Sequence, residues 1–191
     1  MNIVIITGSN RRASTSTKLA EYIKEYIVRR EYQVKLFDLY RTPLPFYSPD
    51  ESFYDHKGLA ELQSAMKKAD AIVLASPEYH GGMSGVLKNA LDHLGQTHFS
   101  GKPVLCVSSA GGAVGVSSLQ QMQATVRNLH GINCPEWLSI GGSQRQRFEL
   151  ENADYEDGNE IEARIRRVVD SFLRLAQIVR ARSNLEAEVS L

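Results

Sequence analysis

The sequence predicts an α/β protein in which a doubly wound sheet of five parallel strands is covered by helices on both faces. Short apolar runs alternate with amphipathic stretches of helix length, as expected when each strand is followed by a crossover helix. Three of the runs are almost continuous in Ile, Val, Leu and Ala, which is typical of strands that are buried on both faces. The loops that follow strands one, three and four are rich in Gly, Ser or Pro. In such folds these loops lie at the ligand-binding edge of the sheet.

Five segments have the length and composition of strands. They are residues 2–7, 33–39, 71–76, 103–109 and, more weakly, 136–141. Gly8 follows the first strand and is expected to permit a tight turn. Pro77 follows the third and is expected to end it, because proline has no backbone N–H for a β-ladder.

Five amphipathic segments are predicted to pack on the sheet as helices, since their apolar residues recur on one helical face. These faces span residues 19–27, 59–66, 86–94, 116–129 and 161–179. Two irregular segments, 40–56 and 142–158, are predicted to be loops, and the second is charged and expected to be mobile. We predict a single domain over residues 1–182, followed by a flexible tail at 183–191.

Composition excludes several classes of protein. The 191 residues include 22 Lys plus Arg and 22 Asp plus Glu, so no net field attracts nucleic acid or an anionic membrane. The opening "MNIVIIT" is too short and lacks the basic residues of a signal peptide or membrane span, so we expect a cytoplasmic protein. Neither the cysteines nor the histidines have metal-ligand spacing. We expect Cys106 to be a buried, reduced thiol, and the other histidines (His56, His93, His98 and His130) to be surface or capping residues.

The turn "GSNRRAST" after the first strand is predicted to bind a phosphate without a metal. It leads into a helix that begins near residue 14 or 15, so unpaired N–H groups and the positive end of the helix dipole point to one spot. Hydroxyl groups and an arginine fork add donors suited to a dianion. The candidate ligands are Ser9, Arg11, Ser14, Thr15 and Ser16.

Other interpretations of this turn differ in the residue types that they need. A Walker loop needs Gly-Lys-Ser/Thr, and a dinucleotide fingerprint needs three glycines; the turn has neither. Asp38 could still imitate the ribose-binding acid of a dinucleotide fold. A simple helix cap needs only one hydroxyl.

A phosphate monoester bound to such a sheet suggests flavin mononucleotide (FMN), whose ring would lie across the loops after strands three and four. Glycines in "PEYHGGMS" permit close approach of the backbone to a ring, and "SSAGG" offers only small residues. Backbone N–H groups there could stabilise the charge of the reduced flavin, while the cofactor performs the chemistry.

Three motifs resemble those of the NADPH-dependent FMN reductase family, which has a flavodoxin-like fold. They are "GSNRRASTSTKLA", "SPEYHGGMSGVLKNALDHL" and "SSAGG", and within the family they are most similar to bacterial azobenzene reductases and quinone or chromate reductases. The resemblance covers roughly residues 1–180 and implies a three-layer sheet of order 2-1-3-4-5. It also implies noncovalent FMN, NADPH or NADH as the electron donor, and a homodimer or homotetramer with the flavin near the subunit contact.

Carried over by position, the resemblance assigns two sets of residues. It places Ser9, Arg11, Ser14 and Ser16 on the FMN phosphate. Around the ring it places Pro77, Glu78, Tyr79, His80, Ser108, Gly111 and Gly112. Many members have Asn at position 80, so His80 as a proton donor is a hypothesis.

The resemblance implies an FMN-dependent oxidoreductase that works by a ping-pong route. NADPH would pass a hydride to flavin N5, leave, and be replaced by a flat acceptor such as an azo dye, a quinone or a nitroaromatic. Two alternatives stay open at this point: a flavodoxin-type electron carrier, and a module that senses flavin or redox state. Arg12, Arg145 and Arg147 are candidates for the 2′-phosphate of NADPH.

Overall fold

The computed structural model describes residues 1–149 and 160–189. The strands are β1 Asn2–Thr7, β2 Gln33–Asp38, β3 Ala71–Tyr79, β4 Gly82–Met83, β5 Pro103–Ser109, β6 Ile132–Asn133 and β7 Leu138–Ile140. The helices are α1 Thr15–Val28, α2 Lys57–Lys68, α3 Gly85–Asp92, α4 Gln96–Phe99, α5 Val116–Asn128, α6 Gln146–Glu149 and α7 Glu160–Val189. A short 3₁₀ helix, Gly142–Arg145, precedes α6.

The predicted strand order is confirmed. Parallel strands lie in the order β2, β1, β3 and β5, and β7 extends the sheet beside β5. These five correspond to the five predicted strands, so their order is 2-1-3-4-5, which is that of flavodoxin-like sheets. All their carboxyl ends therefore lie at one edge.

Two details of the predicted sheet were wrong. The structure adds two-residue strands: β4 pairs antiparallel with β3, and β6 pairs with β5. Pro77 does not end β3, which continues to Tyr79. The pairing of β3 with β1 stops at Ala75, so Pro77 has a ladder partner only in β5, where it lies opposite Ser109. A proline is tolerated there because one side of the strand has no neighbour to bond.

Alternate residues of β1 contribute to two apolar clusters, one on each face of the sheet. Ile3 and Ile5 pack with α1 and α7, whereas Val4 and Ile6 pack with α2, α3 and α5. Cys134 belongs to the first cluster and Cys106 to the second. Both thiols are free and buried, and burial raises the pKa of Cys134 to about 12 and that of Cys106 further. The predicted buried, reduced state of Cys106 is confirmed.

The two predicted loops have different outcomes. Residues 40–56 form turns without helix or strand, as predicted. Residues 142–149 instead form the 3₁₀ helix and α6, because Phe148 is fully buried against the edge of Tyr22, with ring centroids 6.2 Å apart. Residues 150–158 of the predicted loop lie outside the described residues.

The C-terminal helix α7 stays helical as far as Val189. The predicted tail therefore begins as a continuation of α7, and its flexibility stays a prediction. Across the described ranges 1–149 and 160–189, no helix is long and apolar enough to cross a membrane, and no group of His, Cys, Asp or Glu could hold a metal ion.

Candidate functional site

Three loops meet at the carboxyl edge of the sheet: residues 8–14 after β1, the β3–β4 hairpin, and residues 110–115 after β5. Ser84, just beyond the hairpin, joins the first two. Its hydroxyl donates to the carbonyl of Gly8, and its N–H donates to Ser76 Oγ at 2.9 Å. The same hydroxyl accepts from Leu87 N at 3.0 Å and so caps α3. Ser84 lies within the motif "SPEYHGGMSGVLKNALDHL", but its role depends on contacts with Gly8 and Ser76 that the local sequence does not indicate.

Gly8 has a different role from the one predicted. Its backbone does not have a positive φ; instead, an added Cβ would lie 2.4 Å from Cβ of Leu87. Gly8 therefore allows α3 to pack against the end of β1, which places the hairpin beside the first turn.

The first turn brings its predicted ligands together. Ser14 caps α1 by accepting from Thr17 N at 3.2 Å. Ser14 Oγ also lies 3.1 Å from Ser16 Oγ and 2.9 Å from Thr17 Oγ1. Ser9 Oγ accepts from Arg11 N at 3.1 Å. Thr15, the first residue of α1, is buried as well, so the hydroxyl groups line the floor of the turn while the arginine side chain is exposed.

These hydroxyls can supply donors to an anion. Ser14, Ser16 and Thr17 together have three hydroxyl protons, and their two mutual contacts use at most two of them. Ser9 Oγ has only a long contact of 3.5 Å to an acceptor, the carbonyl of Arg11. First-turn N–H groups such as that of Ser16 have no acceptor within their own helix. Buried donors beside an exposed guanidinium fit a phosphate group.

The hairpin presents two predicted ring-binding residues at its end. His80 and Gly81 form its two-residue turn with φ of 50° and 73°, as in a type I′ turn. Asn and His are among the few non-glycine residues that adopt this conformation without unusual strain, so His80 fits the first position of the turn. Tyr79 and His80 are exposed, whereas Pro77 is buried within the strand.

The Glu78 side chain has a partner in α5. Its carboxylate accepts from Ser118 N at 2.9 Å and so caps the N-terminus of α5. Only the backbone of Glu78 lies in the hairpin. From α5, Gln121 accepts from Met83 N at 3.1 Å and supports β4. This role of Gln121 could not be predicted from the sequence, because its partner in β4 lies 38 residues earlier in the chain.

The loop after β5 has its own internal supports. Ser108 Oγ donates to the carbonyl of Gly115 at 2.8 Å, and Ser139 Oγ accepts from Gly115 N at 2.7 Å. The hydroxyl of Ser108 is therefore directed into the protein. Gly111 and Gly112 are exposed at the edge of the sheet, in position to line a ring.

An open apolar groove of about 550 Å³ runs beside the first turn and the hairpin. It is lined by Asn10, Leu39, Tyr40, Pro43, Leu44, Phe46, Tyr79, Ser84, Gly85, Val86 and Asn89. Its outer wall is the loop 40–46. Asn89 Nδ2 donates to the carbonyl of Pro45 at 2.8 Å, and His93 Nε2 lies 2.9 Å from the same oxygen. His93 was expected at the surface or as a cap; it is buried instead, and it anchors this loop.

Two residues that sequence analysis considered for a dinucleotide have structural partners. Asp38 Oδ1 accepts from Tyr40 N at 3.0 Å, and its other oxygen lies 3.3 Å from Arg41 Nε. Asp38 thus supports the turn after β2. Arg147 donates to Glu162 Oε1 from Nε at 2.7 Å. It is therefore placed within the packing of α6 on α7 rather than at the sheet edge.

The strand order defines a flavodoxin-like fold, and the turn at the start of α1 is a candidate phosphate site. Comparison with known proteins identifies the family. The model of the NADPH-dependent FMN reductase family matches residues 1–145, and the chain belongs to this family. The resemblance inferred from the motifs is confirmed.

Individual relatives agree with this assignment. An FMN-dependent NADPH-azoreductase of Staphylococcus saprophyticus is 32% identical over 179 residues, covering 91% of this chain and 94% of that protein. An NADPH azoreductase of Bacillus sp. (strain OY1-2) is 34% identical over 151 residues, covering 78% of this chain and 82% of the relative. Among solved structures, an apo NADH:FMN oxidoreductase superposes with a TM-score of 0.74, with 24% identity and coverage of 90% and 87%. That similarity confirms the fold.

Proposed function

We propose that this protein is an FMN-dependent NADPH azoreductase that reduces azo compounds, and that quinones and other flat acceptors also serve. The main supporting observation is the cluster of buried hydroxyls and an exposed arginine at the start of α1, beside an open apolar groove, in a chain of the FMN reductase family. The turn is suited to a phosphate and the groove to flat aromatic molecules.

In this proposal the phosphate of FMN binds to the first turn, through Ser9, Arg11, Ser14, Thr15 and Ser16. The ring lies against the hairpin and the loop after β5. Tyr79, His80, Gly111 and Gly112 line it there. Three further residues contribute through backbone atoms or by shaping the loops, because their side chains are buried or have other partners: Pro77, Glu78 and Ser108.

Bound FMN would supply the transfer of two electrons from NADPH to the acceptor. The protein's part is to orient the two molecules and to keep the site rigid. Ser84 and Gln121 hold the hairpin against the first turn and α5. His80, exposed at the hairpin turn, is the candidate donor of the proton that the reduced acceptor takes up.

We further propose a cytoplasmic homodimer or homotetramer. Large aromatic side chains are exposed on the loop 40–56, where Phe46 is 89% and Tyr54 is 93% exposed. Trp137 is partly exposed before β7. Exposed aromatic residues of this kind are enriched at protein interfaces. The contact would adjoin the groove and therefore the ring.

Steady-state kinetics with an azo dye test the proposed activity. The FMN-loaded enzyme is assayed by loss of dye absorbance over a grid of NADPH and dye concentrations. We expect dye-dependent oxidation of NADPH and parallel double-reciprocal lines, because both substrates use one stacking surface in turn. NADPH oxidation that never depends on an azo dye, a quinone or a nitroaromatic would contradict the proposal.

A further inference from the structure

A second cavity, of about 410 Å³, lies behind the first turn, between α1 and the end of β2. It is lined by Arg12, Ala13, Thr17, Lys18, Glu21, Asp38, Tyr40 and Arg41. Three of these residues are cationic and two are acidic. The cavity is polar, unlike the neighbouring groove, and Thr17 is the member of the hydroxyl cluster that also lines it.

The cationic residues of this cavity outnumber the acidic ones by three to two. Asp38 already accepts from the backbone of Tyr40 and pairs with Arg41 Nε. Burial raises the pKa of the Glu21 carboxyl from its usual value, and Arg41 and Lys24 act in the opposite direction. Arg12 is exposed and has no hydrogen bond or ion pair with any residue in the described part of the chain. Arg41 uses one nitrogen on Asp38, and a guanidinium has five N–H donors, so both arginines can bind an anion.

The cavity adjoins the apolar groove, because Tyr40 lines both. The groove extends from Tyr40 past Phe46 to Tyr79 of the hairpin. A ligand that fills both spaces would have a flat aromatic part in the groove and an anionic group in the cavity. A nicotinamide dinucleotide that has an additional phosphate on its adenosine ribose has this shape.

We propose that the cavity binds the 2′-phosphate of NADPH, with Arg12 and Arg41 as the residues that select NADPH over NADH. The inference rests on the proposed reductase function. The adenine ring packs against Tyr40 and Phe46 in the groove, and the nicotinamide extends toward Tyr79 and the ring site. Arginine suits this role because its planar fork matches phosphate oxygens bidentately.

The test compares Arg12→Gln, Arg41→Gln and the double variant with Arg29→Gln, which removes an exposed arginine at the far end of α1. We expect each single variant to raise KM for NADPH about tenfold, as for the loss of a charged hydrogen bond, and the double variant to raise it further. KM for NADH should change less than about twofold. The affinity of the FMN-loaded protein for 2′,5′-ADP, measured by calorimetry, should fall in parallel, while its affinity for 5′-ADP stays constant.

Two results would overturn the site: an unchanged affinity for 2′,5′-ADP in the double variant, or equal increases in KM for NADPH and NADH. Failure of the proposed function is a separate result, because it would appear as wild-type protein whose bound flavin neither NADPH nor NADH reduces. Binding of 2′,5′-ADP still reports on the cavity in that case. Arg12→Gln alters only an exposed side chain, so it tests the site even if Arg41→Gln disturbs the turn at Asp38.

Discussion

Replacing Arg11 with alanine should raise the Kd for FMN by about 10- to 100-fold, the range expected for loss of a charged hydrogen bond to phosphate. The arginine is exposed at the first turn, beside the buried hydroxyls of Ser9 and Ser16. In the proposed complex it would contact the phosphate end of FMN and not the reacting atoms. The rate of flavin reduction in fully loaded enzyme should therefore change less than about twofold.

Quenching of FMN fluorescence on titration with apoprotein measures this affinity, and stopped-flow reduction at saturating FMN measures the rate. Arg12→Gln is a matched control, because it removes the same charge one residue away without touching the hydroxyl cluster. Its affinity for FMN should equal that of the wild type. Equal losses of FMN affinity in both variants would mean that the overall positive charge attracts FMN. An unchanged FMN affinity in Arg11→Ala would show that the phosphate does not bind to Arg11 at this turn.

Replacing Arg147 with methionine should lower the free energy of unfolding by about 3 kcal/mol or more. Glu162 is only 1% exposed, and Arg147 binds one of its oxygens. The other oxygen has no hydrogen bond and lies 3.7 Å from Nη2 of Arg166. Without Arg147 the carboxylate stays buried and poorly compensated, so the packing of α6 on α7 is weakened. Urea unfolding followed by circular dichroism measures the loss.

Two further variants separate this explanation from a general effect of losing an arginine. The double variant Arg147→Met with Glu162→Leu should recover most of the stability, because it leaves no uncompensated buried charge at position 162. Arg167→Met should cost less than about 1 kcal/mol, since the Arg167–Glu136 pair is exposed. A double variant no more stable than Arg147→Met alone would show that the loss comes from packing rather than from charge.

The main strands were predictable because burial on both faces requires a continuous apolar run. β1, β3 and β5 are such runs, and their positions follow from composition alone. β4 and β6 have two residues each, which is too short for any periodic pattern. The prediction that Pro77 ends β3 was wrong because a proline is tolerated in β3 beyond the last residue that pairs with β1. The position of that last pair is a property of the assembled sheet.

The candidate phosphate site was predictable because its donors lie within one short segment, with Ser14 as the helix cap. The candidate ring site was harder to predict from the sequence. The directions of Glu78 and Ser108 depend on Ser118 and Ser139, which are 40 and 31 residues away along the chain. Local sequence identified the loops of the site, while contacts between distant elements decide which side chains face it.

The visible spectrum of FMN-reconstituted protein under anaerobic conditions, before and after addition of NADPH, tests the central claim most directly. We predict a bound flavin whose absorbance bleaches rapidly with NADPH and returns when an azo dye is added. A flavin that stays oxidised with NADPH would indicate an electron carrier or a sensor instead. Protein that does not take up FMN would contradict the assignment of the turn after β1.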